Sequence, residues 1–467
     1  MEPSDAQRDP RHRIHRHSCR PATGRVVGRR VRRGGPAVTR IGRALAVTAL
    51  TVGLTPPAPA GASISPPPID DSRLPPAGSA RPPQPTEQRV DCVAVRDATS
   101  AGHLLDDVSL VWPLTRGAGQ TVAIIDTGVA RHRRLPHLVA GGDFVSTGDG
   151  TADCDGHGTI VAGLIGASPD PSDGFAGVAP EAALLSIRQS SNKFDVTEGN
   201  GGSGVGDVQT LAAAVRLAAD MGATVINISS VACLAADTGL DDRALGAALA
   251  YAVDITNAVV VSAAGNVGGA GQCPAQNGPD VTVVASPAWY DDYVLTVGSS
   301  STDGSASDFS LAGPWVDVAA PGENVVSLAA APDGLVDSTV SGARLSGTSY
   351  AAPLVSGLAA LVRARHPELT ARQVMARIED TARHPAGGWS AALGHGVVDV
   401  MAAVGDVAPS VPRPATTISG MPAEQRDREP ASPVRTVLLC AGLIGAVAVA
   451  GAALGRSRPR EDDVAAD

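Results

Sequence analysis

Aromatic side chains are scarce, at 3% of the 467 residues. A core built without them must use Ala, Val, Leu and Ile, with backbones held close together. Apolar residues make up 43% of the chain, enough for one large core plus tails. Lysine is all but missing, Lys193 being the only one. Basic charge is also outnumbered in the body. Residues 1–40 carry eleven Arg against Glu2, Asp5 and Asp9, and setting that +8 apart from the total of −10 leaves −18 on the remainder. An acidic body argues against nucleic acid as a partner. The six cysteines form no Cys-x-x-Cys pair, which speaks against a zinc ribbon or a redox motif. No acidic or histidine pair stands at the helical spacing a metal site needs, so no metal is expected. Gly199 to Gly206 is glycine-rich, but it lacks a Lys before the following helix; it reads as a surface insertion and not as a phosphate loop. No cofactor is expected.

Present instead is a clear order of segments. Ile41 to Leu54 is an apolar run behind an Arg-rich stretch, and Ala58-Pro59-Ala60 follows it. This reads as a basic leader and secretory signal over 1–60, with the long basic stretch leaving the true start open. Residues 56–85 are Pro-rich and should be extended linker, and the Pro-rich N-terminal extension over 61–99 as a whole is too short for an independently folded pro-domain. The body spans 100–405. Its buried-strand patterns (Thr121 to Asp126, Ala183 to Ile187, Ala223 to Ser229, Ala258 to Ala263, Tyr293 to Gly298) alternate with helical ones at Asp207 to Met221, Leu240 to Ile255 and from Thr370. That alternation predicts an α/β fold with a mostly parallel sheet flanked by helices. A second Pro-rich linker covers 406–434. Thr436 to Leu454 is an uncharged apolar run of nineteen residues followed by Arg456, Arg458 and Arg460. It predicts a single transmembrane helix over 435–455 and a cytoplasmic tail over 456–467, with the body outside the cytoplasm. Cys19 and Cys440 lie in the leader and the apolar run. Cys92, Cys154, Cys233 and Cys273 are an even set, as an exported disulfide protein carries.

Chemistry gathers in four short motifs. Ser349 stands in Ser346-Gly347-Thr348-Ser349-Tyr350-Ala351-Ala352-Pro353, at the entry to an apolar helix whose first turn should include Pro353. Asp126 ends an apolar strand, and glycines flank His157 in Asp155-Gly156-His157-Gly158-Thr159. A serine nucleophile needs a base to take its proton, and the base needs a carboxylate to fix its tautomer. Asn266 follows Ser262-Ala263-Ala264-Gly265 and can donate to an oxyanion together with the Ser349 N–H. Taken singly, Asp126 and Asn266 are ordinary turn residues and Ser349 an ordinary helix cap.

Together, and in this order, the motifs over residues 110–404 resemble the subtilisin-like serine proteases, the subtilase superfamily. The resemblance implies that Asp126 orients, His157 acts as general base and then acid, Ser349 attacks, and Asn266 helps hold the oxyanion. It also implies that Ser229 and Ser230 on one side, and Ala264 and Gly265 on the other, line a groove that pairs with an extended peptide. With the signal, the two Pro-rich segments and one C-terminal span, the chain is most similar to the mycosins, membrane-anchored proteases of actinobacterial type VII secretion systems. On that likeness, Cys92–Cys154 would strap the extension beside His157 and Cys233–Cys273 would brace the cleft; four cysteines allow three pairings, and the sequence does not choose.

The expected function is a membrane-anchored serine endopeptidase acting on a protein or peptide substrate in partnership with secretion-machinery subunits. The competing expectation is a structural, stabilising subunit of the secretion complex in which cleavage is secondary.

Overall fold

A computed structural model describes residues 64–406 apart from 94–97, 99–104, 106, 199–203, 269–272 and 331–333. The leader and signal of 1–60, the span expected over 435–455 and the tail after it lie outside the described residues. No helix among the described residues is long and apolar enough to cross a membrane.

Seven strands form one all-parallel sheet: β1 Thr121–Asp126, β2 Leu138–Asp143, β3 Ala183–Arg188, β4 Val225–Ile228, β5 Val259–Ala263, β6 Leu295–Ser300 and β7 Val318–Pro321. Their spatial order is β7-β6-β5-β4-β1-β3-β2. β4, β5 and β6 are buried along their whole length and β1 all but its first residue, which is why they read as continuous apolar runs and not as alternating ones. The order turns back between β1 and β4, so the carboxyl ends of these neighbours flank a switch point, where such sheets hold their ligands.

Five longer helices cover the sheet: α1 His157–Gly166, α2 Val208–Asp220, α3 Arg243–Ala250, α4 Thr348–Arg365 and α5 Ala371–Thr381. α2 starts where its sequence says it should. Asp207 caps it and exchanges hydrogen bonds with Thr210, and Leu211, Ala212, Val215 and Ala219 face inward. Thr370 and Gln373 form the same reciprocal cap on α5. The helix expected from Leu240 begins only at Arg243, and its last turn, Tyr251–Ile255, is a π-helix. α4 is buried from Tyr350 through Val362 and packs on α1 and on β4 to β7.

The extension is not free linker. Thr86–Gln88 pairs antiparallel with Phe194–Val196, and Ile69, Leu74 and Ala80 pack against the core. Proline keeps the segment extended but does not stop it from laying its few apolar side chains on the body. Cys92–Cys154 closes one disulfide across 62 residues and Cys233–Cys273 another across 40. Replacing Cys92 and Cys154 together with serine is expected to lower the free energy of unfolding by about 2–4 kcal/mol, because the loop they close is long. Denaturant melts of the oxidised protein measure this, and a change under about 0.5 kcal/mol refutes it.

Candidate active site

The sheet's carboxyl edge gathers the candidate residues from four elements. Asp126 is the last residue of β1, His157 the first of α1, Ser349 the second of α4, and Asn266 lies just past β5. Close approach makes this possible. A Cβ on Gly158 would overlap the Gly128 carbonyl oxygen, so only glycine lets the start of α1 meet the turn after β1.

Asp126 Oδ1 lies 2.8 Å from His157 Nδ1, and His157 Nε2 lies 3.1 Å from Ser349 Oγ. Asp126 is buried, and its Oδ1 also accepts from the Thr127 N–H at 2.7 Å. An ionised carboxylate at Nδ1 fixes the proton there and leaves Nε2 as acceptor for the Ser349 hydroxyl. The line Asp126–His157–Ser349 is therefore polarised in one direction. The Tyr350 ring packs beside the imidazole, with centroids 5.3 Å apart.

A second carboxylate sits behind the histidine. Asp153 accepts from Thr127 Oγ1 and the Gly156 N–H with one oxygen, and from the Thr159 N–H and Oγ1 with the other. It thus ties the start of α1 to the turn that carries Asp126. Burial pushes its pKa up to about 6, against the pull of the hydrogen bonds from Thr159 and Thr127. His157 is also raised. Burial alone would depress it, but the charge and hydrogen bond of Asp126, with the charges of Asp153 and Asp155, outweigh that.

Asn266 Oδ1 accepts from the Thr348 N–H at 2.9 Å and from Thr348 Oγ1 at 3.1 Å. That assignment leaves Nδ2 for the cleft. A Cβ on Gly347 would lie 3.2 Å from Ser349 Oγ and 3.5 Å from Asn266 Nδ2, so bare Gly347 borders the space between them. A negatively charged oxygen placed there meets an amide donor beside the Ser349 hydroxyl.

These groups open on a cavity of about 560 Å³. Ser229 and Ser230 line one side, and Gly265 and Asn266 the other. Ala264 does not border it. Its N–H still donates to the Val297 carbonyl of β6 and its side chain is fully buried; Ala263 borders the cavity instead. Gly204, Val205 and Gly206 also line the wall, although their glycine-rich stretch read as a surface insertion. Its place in the connection from β3 to α2, which leaves the sheet's carboxyl edge, was the signal available. The Cys233–Cys273 sulfurs lie against Gly265, whose φ is +107°; a Cβ there would come within 2.8 Å of Cys273 Sγ. The Cys273 N–H donates to the Asn266 carbonyl, so the bridge backs the segment that presents the Asn266 side chain. Among the described residues, no group of three or more His, Cys, Asp or Glu is placed to hold a metal ion.

Pro353 is not in the first turn of α4. The helix starts at Thr348, under the side-chain-free cap Gly347, so Pro353 is its sixth residue and lies in the second turn.

The sequence profile of the subtilase family matches residues 117–396. Mycosin-4 of Mycobacterium tuberculosis (strain ATCC 25618 / H37Rv) is 59% identical over 377 residues, which covers 77% of this chain and 82% of the relative. Among solved structures, the MycP3 protease from the type VII (ESX-3) secretion system aligns with a TM-score of 0.69 at 46% identity, covering 74% of this chain and 100% of that one. A chain of the intact ESX-5 inner membrane complex aligns with a TM-score of 0.69 at 39% identity, over 84% of this chain and 99% of its own.

Proposed function

The chain belongs to the subtilase family as a mycosin-type serine protease, and from that premise we propose that it is a membrane-anchored endopeptidase of a type VII secretion system that cuts a secreted protein outside the cytoplasm. The observation that carries the chemistry is the hydrogen-bonded line Asp126–His157–Ser349 opening on a peptide-sized cavity.

In this reading Ser349 Oγ attacks the scissile carbonyl while His157 Nε2 takes its proton. Asp126 stabilises the imidazolium that forms. The carbonyl oxygen, now negative, moves toward Asn266 Nδ2 and the Ser349 N–H at the start of α4, where the helix dipole favours it. His157 returns the proton to the leaving amine. Water, deprotonated by the same nitrogen, then releases the acyl group. The two cavity walls at Ser229–Ser230 and Gly265 hold the peptide extended, as an added strand.

The secretion role draws on the ESX structures among the neighbours and on the C-terminal apolar run. The experiment compares the termini of secreted proteins from cells producing the wild type and cells producing Ser349→Ala. Cut sites that vanish in the variant while secretion continues support the endopeptidase reading; an unchanged set of termini refutes substrate processing. Similarity to a chain of the ESX-5 inner membrane complex favours a second reading, a stabilising subunit whose cleavage is secondary. Deleting the whole chain then stops secretion where Ser349→Ala does not.

The raised His157 sets a pH dependence. Only neutral imidazole accepts the serine proton, so activity falls as pH drops through the pKa of His157. Because that pKa is raised, the acid limb of kcat/KM is expected above the 6.5 of an unperturbed histidine. Asp155→Asn removes one of the raising charges and should move the limb to lower pH. A limb at or below 6.5 in the wild type, or no movement in the variant, refutes the assignment.

A further inference from the structure

Proline at position 353 creates a need inside α4. In an α-helix the carbonyl of residue 349 is met by the N–H of residue 353, and proline has none. The carbonyl so released belongs to Ser349. It accepts instead from the Ser229 hydroxyl just past β4, at 3.0 Å.

Ser229 is in turn held from behind. Asn227 Nδ2 donates to Ser229 Oγ at 2.9 Å, and Ser356 Oγ donates to Asn227 Oδ1 at 2.8 Å. Asn227 and Ser356 are fully buried and Ser229 nearly so. The chain leaves α4 at Ser356, passes through β4 and re-enters α4 at Ser349, one turn on the other side of the proline. Its direction is fixed. The Ser349 carbonyl can only accept and the Asn227 amide nitrogen can only donate, so the Ser229 proton must point at Ser349. Turning the Asn227 amide over would draw that proton away and leave the carbonyl without this donor.

We propose that Ser229, oriented by Asn227 and Ser356, is a positioning residue for Ser349: its hydroxyl replaces the helical partner that Pro353 removes and so holds the nucleophile's backbone in register with His157. The inference rests on Ser349 being the nucleophile. Releasing the carbonyl lets β4, which carries one wall of the cavity, grip the reacting residue directly. An ordinary helical bond would tie it only to the next turn of α4.

The test uses the whole chain and two readouts, peptide hydrolysis and the rate of inactivation by a fluorophosphonate. Ser229→Ala is expected to lower kcat roughly tenfold to a hundredfold with KM little changed, and to slow inactivation in parallel. Ser229→Thr keeps the hydroxyl and should restore most of the rate. Ser356→Ala, away from the cavity, should give a smaller loss of the same kind. Pro353→Ala restores an N–H at position 353, so Ser229→Ala should cost markedly less in that background, and this coupling is the decisive measurement because a groove contact would not show it. A loss confined to KM, a kcat within twofold of wild type, or equal losses with and without Pro353 overturns the proposal. If Ser229→Ala does not fold, the decision passes to Ser356→Ala in the two backgrounds, on the same criterion. A wild-type chain inert to the fluorophosphonate defeats the nucleophile reading itself, and this inference with it.

Discussion

Ser349→Ala is expected to lower kcat by about a millionfold while the melting temperature stays within about 1 °C of wild type. The rate loss is this large because the serine, the imidazole and the carboxylate act as one unit. Without the hydroxyl there is no nucleophile for His157 to activate, and what remains is binding and oxyanion stabilisation acting on water. The stability effect is small because the hydroxyl carries little structure. Its one polar contact is His157 Nε2 at 3.1 Å, on the cavity side, where solvent can take its place. The Ser349 carbonyl, which does carry structure through Ser229, is untouched by the substitution. Hydrolysis of a fluorogenic peptide, labelling by a fluorophosphonate and a thermal melt separate the two predictions. A variant that keeps more than about 1% of activity, or labels as fast as wild type, excludes Ser349 as nucleophile.

How far the sequence reveals this site depends on the range of the interaction that makes each part. The strand ending in Asp126 is legible because parallel strands are buried on both faces and read as unbroken apolar runs. The start of α2 is legible because Asp207 and Thr210 satisfy each other locally. Pro353 is misplaced by one turn because α4 starts under a glycine, a cap with no side-chain signal. Ala264 misses the cavity although Ala263 and Gly265 on either side border it; its N–H is still paired with Val297 across the sheet, a partner the local sequence does not show. The extension's docking depends on Phe194–Val196, over a hundred residues away, and Pro-rich composition says nothing about such a partner. The Ser229–Asn227–Ser356 chain joins residues 129 positions apart; each alone is an unremarkable buried polar group.

Asn266→Ala is expected to lower kcat by about 10²–10³ with KM nearly unchanged, because the amide gains strength only as the carbonyl oxygen becomes negative. Alanine alone cannot establish this. The same side chain also accepts from the Thr348 N–H and hydroxyl, so its loss loosens the residue before Ser349 as well as removing the donor. Asn266→Asp separates the two roles. A carboxylate keeps the acceptor for Thr348, and α4 should begin as before. It has no N–H to offer the cleft, and it sets a negative charge facing the developing oxyanion. If donation to the oxyanion is what matters, Asp is at least as damaging as Ala, a loss of about 10³ or more, in a protein that melts like wild type. If holding Thr348 is what matters, Asp restores most of the rate that Ala loses. The Gly347 backbone bears on the same choice, since the space it leaves open lies between Ser349 Oγ and Asn266 Nδ2. Gly347→Ala would crowd that space without touching either hydrogen bond to Thr348. A kcat loss there, alongside an Asn266→Asp no better than Asn266→Ala, places the oxyanion between the two groups; recovery in Asn266→Asp removes Asn266 from the chemistry and leaves it a structural role.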